Sequence, residues 1–254
     1  MITFKTFLIV APLVFLGGFV DAIGGGGGLI SLPAYLLAGI PSHMAIATNK
    51  LSSALGTTVT TIRFIREKLV SLKYAIPGVI CAMAGSFVGA RLSLITDEKI
   101  LGIVILPVLF VAAFFVLNKG LFGKEYSEEE NVKRVLLTLI PAALFIGMYD
   151  GFYGPGTGTF LIIAFNVFSH MNLKRANAQA KVINLTTNLT SFSVFLAGGQ
   201  VIWALGLVAA VCGMAGNFVG SNLAIKKSGK VTKPIILTVL AILLVKVVYE
   251  NFLS

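Results

Sequence analysis

The chain has 254 residues, of which 57% are apolar and only 12% charged. That charged share is about half the usual value for a soluble domain, so an ordinary soluble fold is excluded and lipid must cover much of the surface. The net charge of +10 comes from 20 Lys+Arg against 10 Asp+Glu. It fits basic cytoplasmic loops, and no aromatic–basic pattern points to nucleic acid.

Several runs approach the roughly 20 apolar residues that cross a bilayer. The short alternating segments of a β-barrel are absent. The expected class is therefore all-α, a polytopic membrane protein. In chain order, an apolar stretch at 4–23 leads to a glycine break at 24–28 and a short apolar piece at 29–40. Three long helices follow, at 44–64, 74–94 and 99–117. The polar segment 119–134 is read as a cytoplasmic linker, with Ser127 and Glu130 as a capping box for the next helix. Then the order recurs: an apolar stretch at 135–153, a break at 154–158, a short piece at 159–169 and helices at 175–197, 201–224 and 232–252. The first stretch has the apolar character of a signal peptide, but its counterpart at 135–153 argues for a retained span.

The recurrence is visible in the residues. CAMAGSFVGARL at 81–92 and CGMAGNFVGSNL at 212–223 share eight of twelve positions. Lys50 matches Lys181, and Gly17 matches Gly147. The chain thus divides into repeats 1–118 and 135–254 around the linker. Loop charges give their relative orientation. Segment 63–73 carries Arg63, Arg66, Lys68 and Lys73, whereas its counterpart 198–200 carries none. Segment 226–233 carries four lysines against one in 95–99. Each loop that is basic in one repeat is nearly neutral in the other, which predicts inverted topology. Both termini then lie outside. The short pieces reach only about 16–18 Å against a hydrocarbon core of about 30 Å. Each break must therefore lie inside protein, whether its hairpin crosses fully or is re-entrant.

Three features could carry chemistry. The breaks, Gly24, Gly25, Gly26, Gly27 and Gly28 in one repeat and Gly154, Pro155, Gly156, Thr157 and Gly158 in the other, would each expose the positive N-terminus of a restarting helix. Backbone N–H groups at such an end form an anion site without a charged side chain. Gly/Pro-interrupted segments at matched positions point to a transporter's binding site. Gly85-xxx-Gly89 and Gly216-xxx-Gly220 are instead read as close helix packing.

The second feature is Lys50 and Lys181, each about seven residues into a long helix. A basic residue at that depth costs about 2.5–3.5 kcal/mol on insertion scales. Lys50, Ser53 and Thr57 form one polar stripe, and Lys181, Asn184 and Asn188 another, so these faces look inward. Asn49 and Gln179 add hydrogen-bonding groups. Third, Asp21 and Asp150 stand just before the breaks. They are candidates for proton or cation coupling and equally for structural ion pairs with the lysines. His43 and His170 are placed in connecting segments, and Trp203 at the membrane interface. Cys81 and Cys212 lack a CxxC or Cys/His partner pattern and are read as packing residues. No metal or other cofactor is expected. HExxH, GxxxxGK[ST] and GxSxG are absent, so the chain is not read as an enzyme.

The stretches GGFVDAIGGGGGLISLPA (17–34), ATNKLSSALGT (47–57), GMYDGFYGPGTGTF (147–160), NAQAKVINLTTNL (177–189) and GGQVIWALGL (198–207) resemble the TauE/SafE sulfite-exporter family, within the 4-toluenesulfonate uptake permease superfamily. The resemblance covers nearly the whole chain. It implies secondary transport of sulfur oxyanions or organosulfonates across the inner membrane. By matched position it implies that Gly24–Gly28, Asn49, Lys50, Gly154–Gly158 and Lys181 line the path. A passive anion channel and a carrier of another small anion, such as a carboxylate, stay open. So do the coupling ion, the direction and assembly into a homo-oligomer.

Overall fold

The computed structural model describes residues 3–97, 126 and 130–252. Eight helices run through them. These are α1 (Phe4–Gly24), α2 (Gly28–Leu37), α3 (Ser42–Arg66), α4 (Leu72–Ile95), α5 (Val132–Phe152), α6 (Thr157–Val167), α7 (Leu173–Ala197) and α8 (Trp203–Phe252). No strand occurs among the described residues. The expected helix at 99–117 and most of the linker lie outside them.

Among the described residues, four stretches are long and apolar enough to cross a membrane: α1, α4, α5 and Trp203–Lys227 of α8. They show apolar side chains outward, as Ile76, Ile80, Met83 and Phe87 do on α4. Helices α3 and α7 are different. At 25 residues each they reach about 37 Å, enough to span. Their many Ser, Thr, Asn and Lys residues make them unsuited to face lipid, and most of those residues are buried. The polar pair is packed together at the centre, sheathed by the apolar helices. Helices α2 and α6, of 10 and 11 residues, are each tied back to the helix before them.

The most extensive packing joins α1 to α8 and α4 to α5, so each pair draws one helix from each sequence repeat. The glycines of the repeated motif explain it. A Cβ on Gly85 or Gly89 would overlap the α5 backbone at Leu144 and Met148. One on Gly216 or Gly220 would overlap the α1 backbone at Phe15 and Phe19. The small-residue spacing therefore serves close packing. Two bundles result: α1, α2, α3 and α8 on one side, and α4, α5, α6 and α7 on the other. They meet mainly along α3 and α7.

Three local expectations are corrected. Helix α5 is capped by Asn131, whose side chain accepts from the Arg134 N–H at 3.1 Å, and not by the Ser127–Glu130 box. Glu130 instead pairs with Arg175. His43 belongs to the first turn of α3, with Nε2 3.0 Å from the Ser93 carbonyl oxygen. Residues 225–231 form no loop. The backbone is helical on both sides of Lys227, whose φ of −134° alone redirects the chain. Lysine is a good helix former, so a run of lysines need not end a helix.

Candidate functional site

The site is built where the two glycine breaks meet. Helix α1 ends at Gly24, and Gly25 turns left-handed with φ +78°, its N–H bonded to the Asp21 carbonyl at 2.9 Å. In the second break Gly154 (φ +101°) and Gly156 (φ +87°) take the same region. Thr159 joins the two. Its N–H donates to the Gly25 carbonyl at 3.2 Å and its hydroxyl to the Gly24 carbonyl at 2.7 Å. A Cβ added to Gly158 would stand 2.6 Å from the Gly25 Cα, so the approach requires glycine.

The carbonyl ends and amide ends of these helices fare differently. Asn177 Nδ2 donates to the Ala22 and Ile23 carbonyls at 3.0 and 3.1 Å, satisfying the end of α1. The amides of Gly27, Gly28 and Gly158, at the starts of α2 and α6, have no protein acceptor among the described residues. They are the orphan donors every helix start leaves. All three residues line one cavity of about 40 Å³. At roughly 10–15 Å³ per water, that admits about three waters or one small ion.

Two buried ion pairs flank it. Lys50 Nζ on α3 lies 2.9 Å from Asp150 Oδ1 on α5, both almost inaccessible. Lys181 Nζ on α7 lies 2.7 Å from Asp21 Oδ2 on α1. Each pair crosses between the two bundles. Gly154 packs over the first, where a Cβ would come within 2.8 Å of Lys50 Nζ and 2.9 Å of Asp150 Oδ1. Asp150 Oδ2 and Asn49 Oδ1 are buried without a hydrogen-bond partner. In an apolar surround an unmet acceptor is costly, and both belong to residues that line the cavity.

A family model described as "Sulfite exporter TauE/SafE" matches residues 10–247. The chain belongs to the TauE/SafE family. It is 37% identical to the probable membrane transporter protein YfcA of Escherichia coli K12, over 99% of this chain and 96% of that protein. It is equally similar, at 37%, to the probable membrane transporter protein ORF9 of a Sinorhizobium species, over 92% of this chain and 88% of the relative. A probable membrane transporter protein of Haemophilus influenzae is 37% identical over 93% of this chain and 92% of its own length. No solved structure matches. The protein is a multi-pass membrane transporter of this family.

Of the residues singled out in this TauE/SafE chain, Gly25, Gly27, Gly28, Asn49, Lys50, Ser53, Gly154, Gly156, Thr157, Gly158, Asn184, Asn188, Asp21 and Asp150 line the cavity. Gly24, Gly26, Pro155, Gln179 and Lys181 do not. Gln179 Oε1 accepts from the Ser71 N–H at 3.2 Å and so holds the α3–α4 connection. Pro155 offers its carbonyl to the Tyr149 hydroxyl at 2.7 Å. Lys181 is fully buried behind Asp21, to which Thr57 Oγ1 also donates, at 3.4 Å. Sequence reasoning missed Asn217, which lines the cavity and accepts from Thr60 Oγ1 at 2.8 Å. A signal existed. Asn217 matches Ser86 in the repeated motif, and both are buried polar residues in apolar runs. Ser86 donates to the Thr187 carbonyl at 2.7 Å.

Proposed function

We propose that the protein is a secondary carrier of a small sulfur oxyanion of the sulfite kind, coupled to protons. The observation that carries this reading is the meeting of the two breaks. The residues whose amides are unpaired at the starts of α2 and α6 line the same cavity as Lys50, so backbone donors and one ammonium offset the Asp21 and Asp150 carboxylates on the same wall. Such an end-on arrangement of helix starts favours anions, and the cavity's volume favours a compact one over a long-chain sulfonate. The family's description supports sulfur chemistry; the pocket supports charge and size.

In this reading Asp150 is the coupling group. With the site empty its Oδ1 holds Lys50. An arriving anion competes for the ammonium, and a proton settles on the unpartnered Oδ2. Anion and proton thus bind together, and neither leaves a buried charge uncompensated. Alternating access then moves one bundle against the other along α3 and α7. The helix exchange between repeats makes these bundles, and not the sequence halves, the moving units. The same reading keeps inverted repeats in the inner membrane, with both termini outside and the linker 118–134 cytoplasmic. Purified protein in proteoliposomes tests it. Saturable sulfite uptake that rises with an inward proton gradient is expected. Linear conductance without accumulation, or preference for cations, overturns it.

A further inference from the structure

A second cavity, sharing no lining residue with the first, lies between the end of α3 and the first limb of α8. It measures about 430 Å³, and among the described residues it is lined by Val59, Ile62, Phe218, Ile225 and the charged trio Arg63, Arg66 and Glu67. Its polarity is graded. Helices α3 and α8 run toward the same end here: Val59, Ile62 and Phe218 lie deeper, while Arg66 and Glu67 close α3. The exposed Lys226 and Lys227 close the first limb of α8. Ile62 and Phe218 are about half exposed despite their apolar character. Arg63 is built into the wall. Its guanidinium lies 4.4 Å from the Phe218 ring centroid and donates from Nη2 to Asn222 Oδ1. Its Nε is buried with no hydrogen-bond partner.

We propose that this groove holds one anionic phospholipid, its phosphate at Arg63 and Arg66 and an acyl chain along Val59, Ile62 and Phe218. An apolar trough that becomes cationic at the level where two spanning helices end matches the shape and charge of such a lipid. Four cations against the single acid Glu67 favour net negative headgroups over zwitterionic ones. A fixed arginine beside the exposed Arg66 offers the directed hydrogen bonds that phosphate takes from guanidinium. The inference is independent of the transported substrate.

The test uses the intact protein in detergent, titrated with phosphatidylglycerol, phosphatidylcholine or inorganic phosphate. Thermal stability and lipid retention in native mass spectrometry are read together. Phosphatidylglycerol should stabilise and be retained as one tightly held copy, with phosphatidylcholine weaker. Arg66→Gln should weaken phosphatidylglycerol about fivefold, and Arg63→Gln by a similar factor. Glu67→Gln should tighten it. Lys73→Gln removes a charge from the same connection without touching the groove and should change nothing. Arg66 and Glu67 are exposed, so their variants fold and carry the test even if Arg63→Gln does not. Equal response to the two lipids, an equal effect of inorganic phosphate alone, or equal weakening by Lys73→Gln overturns the proposal.

Discussion

Lys50–Asp150 and Lys181–Asp21 are made of the same parts, a lysine on a polar central helix and an aspartate on an apolar neighbour, yet their surroundings differ. The first pair opens onto the cavity through both partners, sits under a bare glycine and leaves one carboxylate oxygen unmet. In the second pair only the aspartate reaches the cavity; its Oδ2 serves both Lys181 and Thr57, and the lysine is sealed off behind it. A pair with spare capacity can exchange partners during a cycle. A pair whose lysine is sealed away from the cavity holds the bundles in register. The sequence repeat makes the two look equivalent; the difference lies in what each lysine finds beside it.

The largest effect should come from neutralising the open pair. Lys50→Met with Asp150→Asn removes both charges, so the fold survives, but uptake should fall by a factor of about 100 or more. Uptake near the wild-type rate would show that the open pair does not handle substrate. The sealed pair should behave in the opposite way. Lys181→Met alone strands Asp21 and should cost about 3–5 kcal/mol in detergent unfolding. Adding Asp21→Asn should recover most of that stability and leave transport within about tenfold.

Asp150→Asn sharpens the contrast through pH. Wild-type uptake should rise by up to about tenfold per unit of external acidification, the limit for one coupled proton. The variant should show a flat profile while still being stabilised by substrate in a melting assay. Asp21→Asn combined with Lys181→Met should keep the slope. The smallest effect tests the glycine lid. Gly154→Ala and Gly39→Ala both place alanine at positive φ, at about 1–2 kcal/mol each. Gly39 has open space around it, so only Gly154→Ala, pressed onto Lys50, should also slow uptake.

Much of this was legible in the residues. Glycine runs, apolar stretches and paired lysines are local signals, and the ends of α1 and α2 and the starts of α6 and α7 fall within a few residues of the reading. The burial of both breaks followed from the shortness of α2 and α6. What was not legible is partnership. Gly85 and Gly89 announce that α4 packs closely on something; they do not say that it is α5 of the other repeat. Gln179 and Lys181 carry polar groups suited to a site, yet Gln179 is taken by the Ser71 N–H and Lys181 by Asp21. Such competition between acceptors is settled only in three dimensions.

The exchange of helices also bears on biogenesis. Phe15 and Phe19 of α1 wait for Gly216 and Gly220 of α8, about 200 residues later in synthesis. At roughly 5–20 residues per second, the first span sits beside the translocon for about 10–40 s before its glycine-faced mate emerges. A ribosome stalled short of that motif would leave the glycine-facing side of the early span bare, with only α2 and α3 against its other faces.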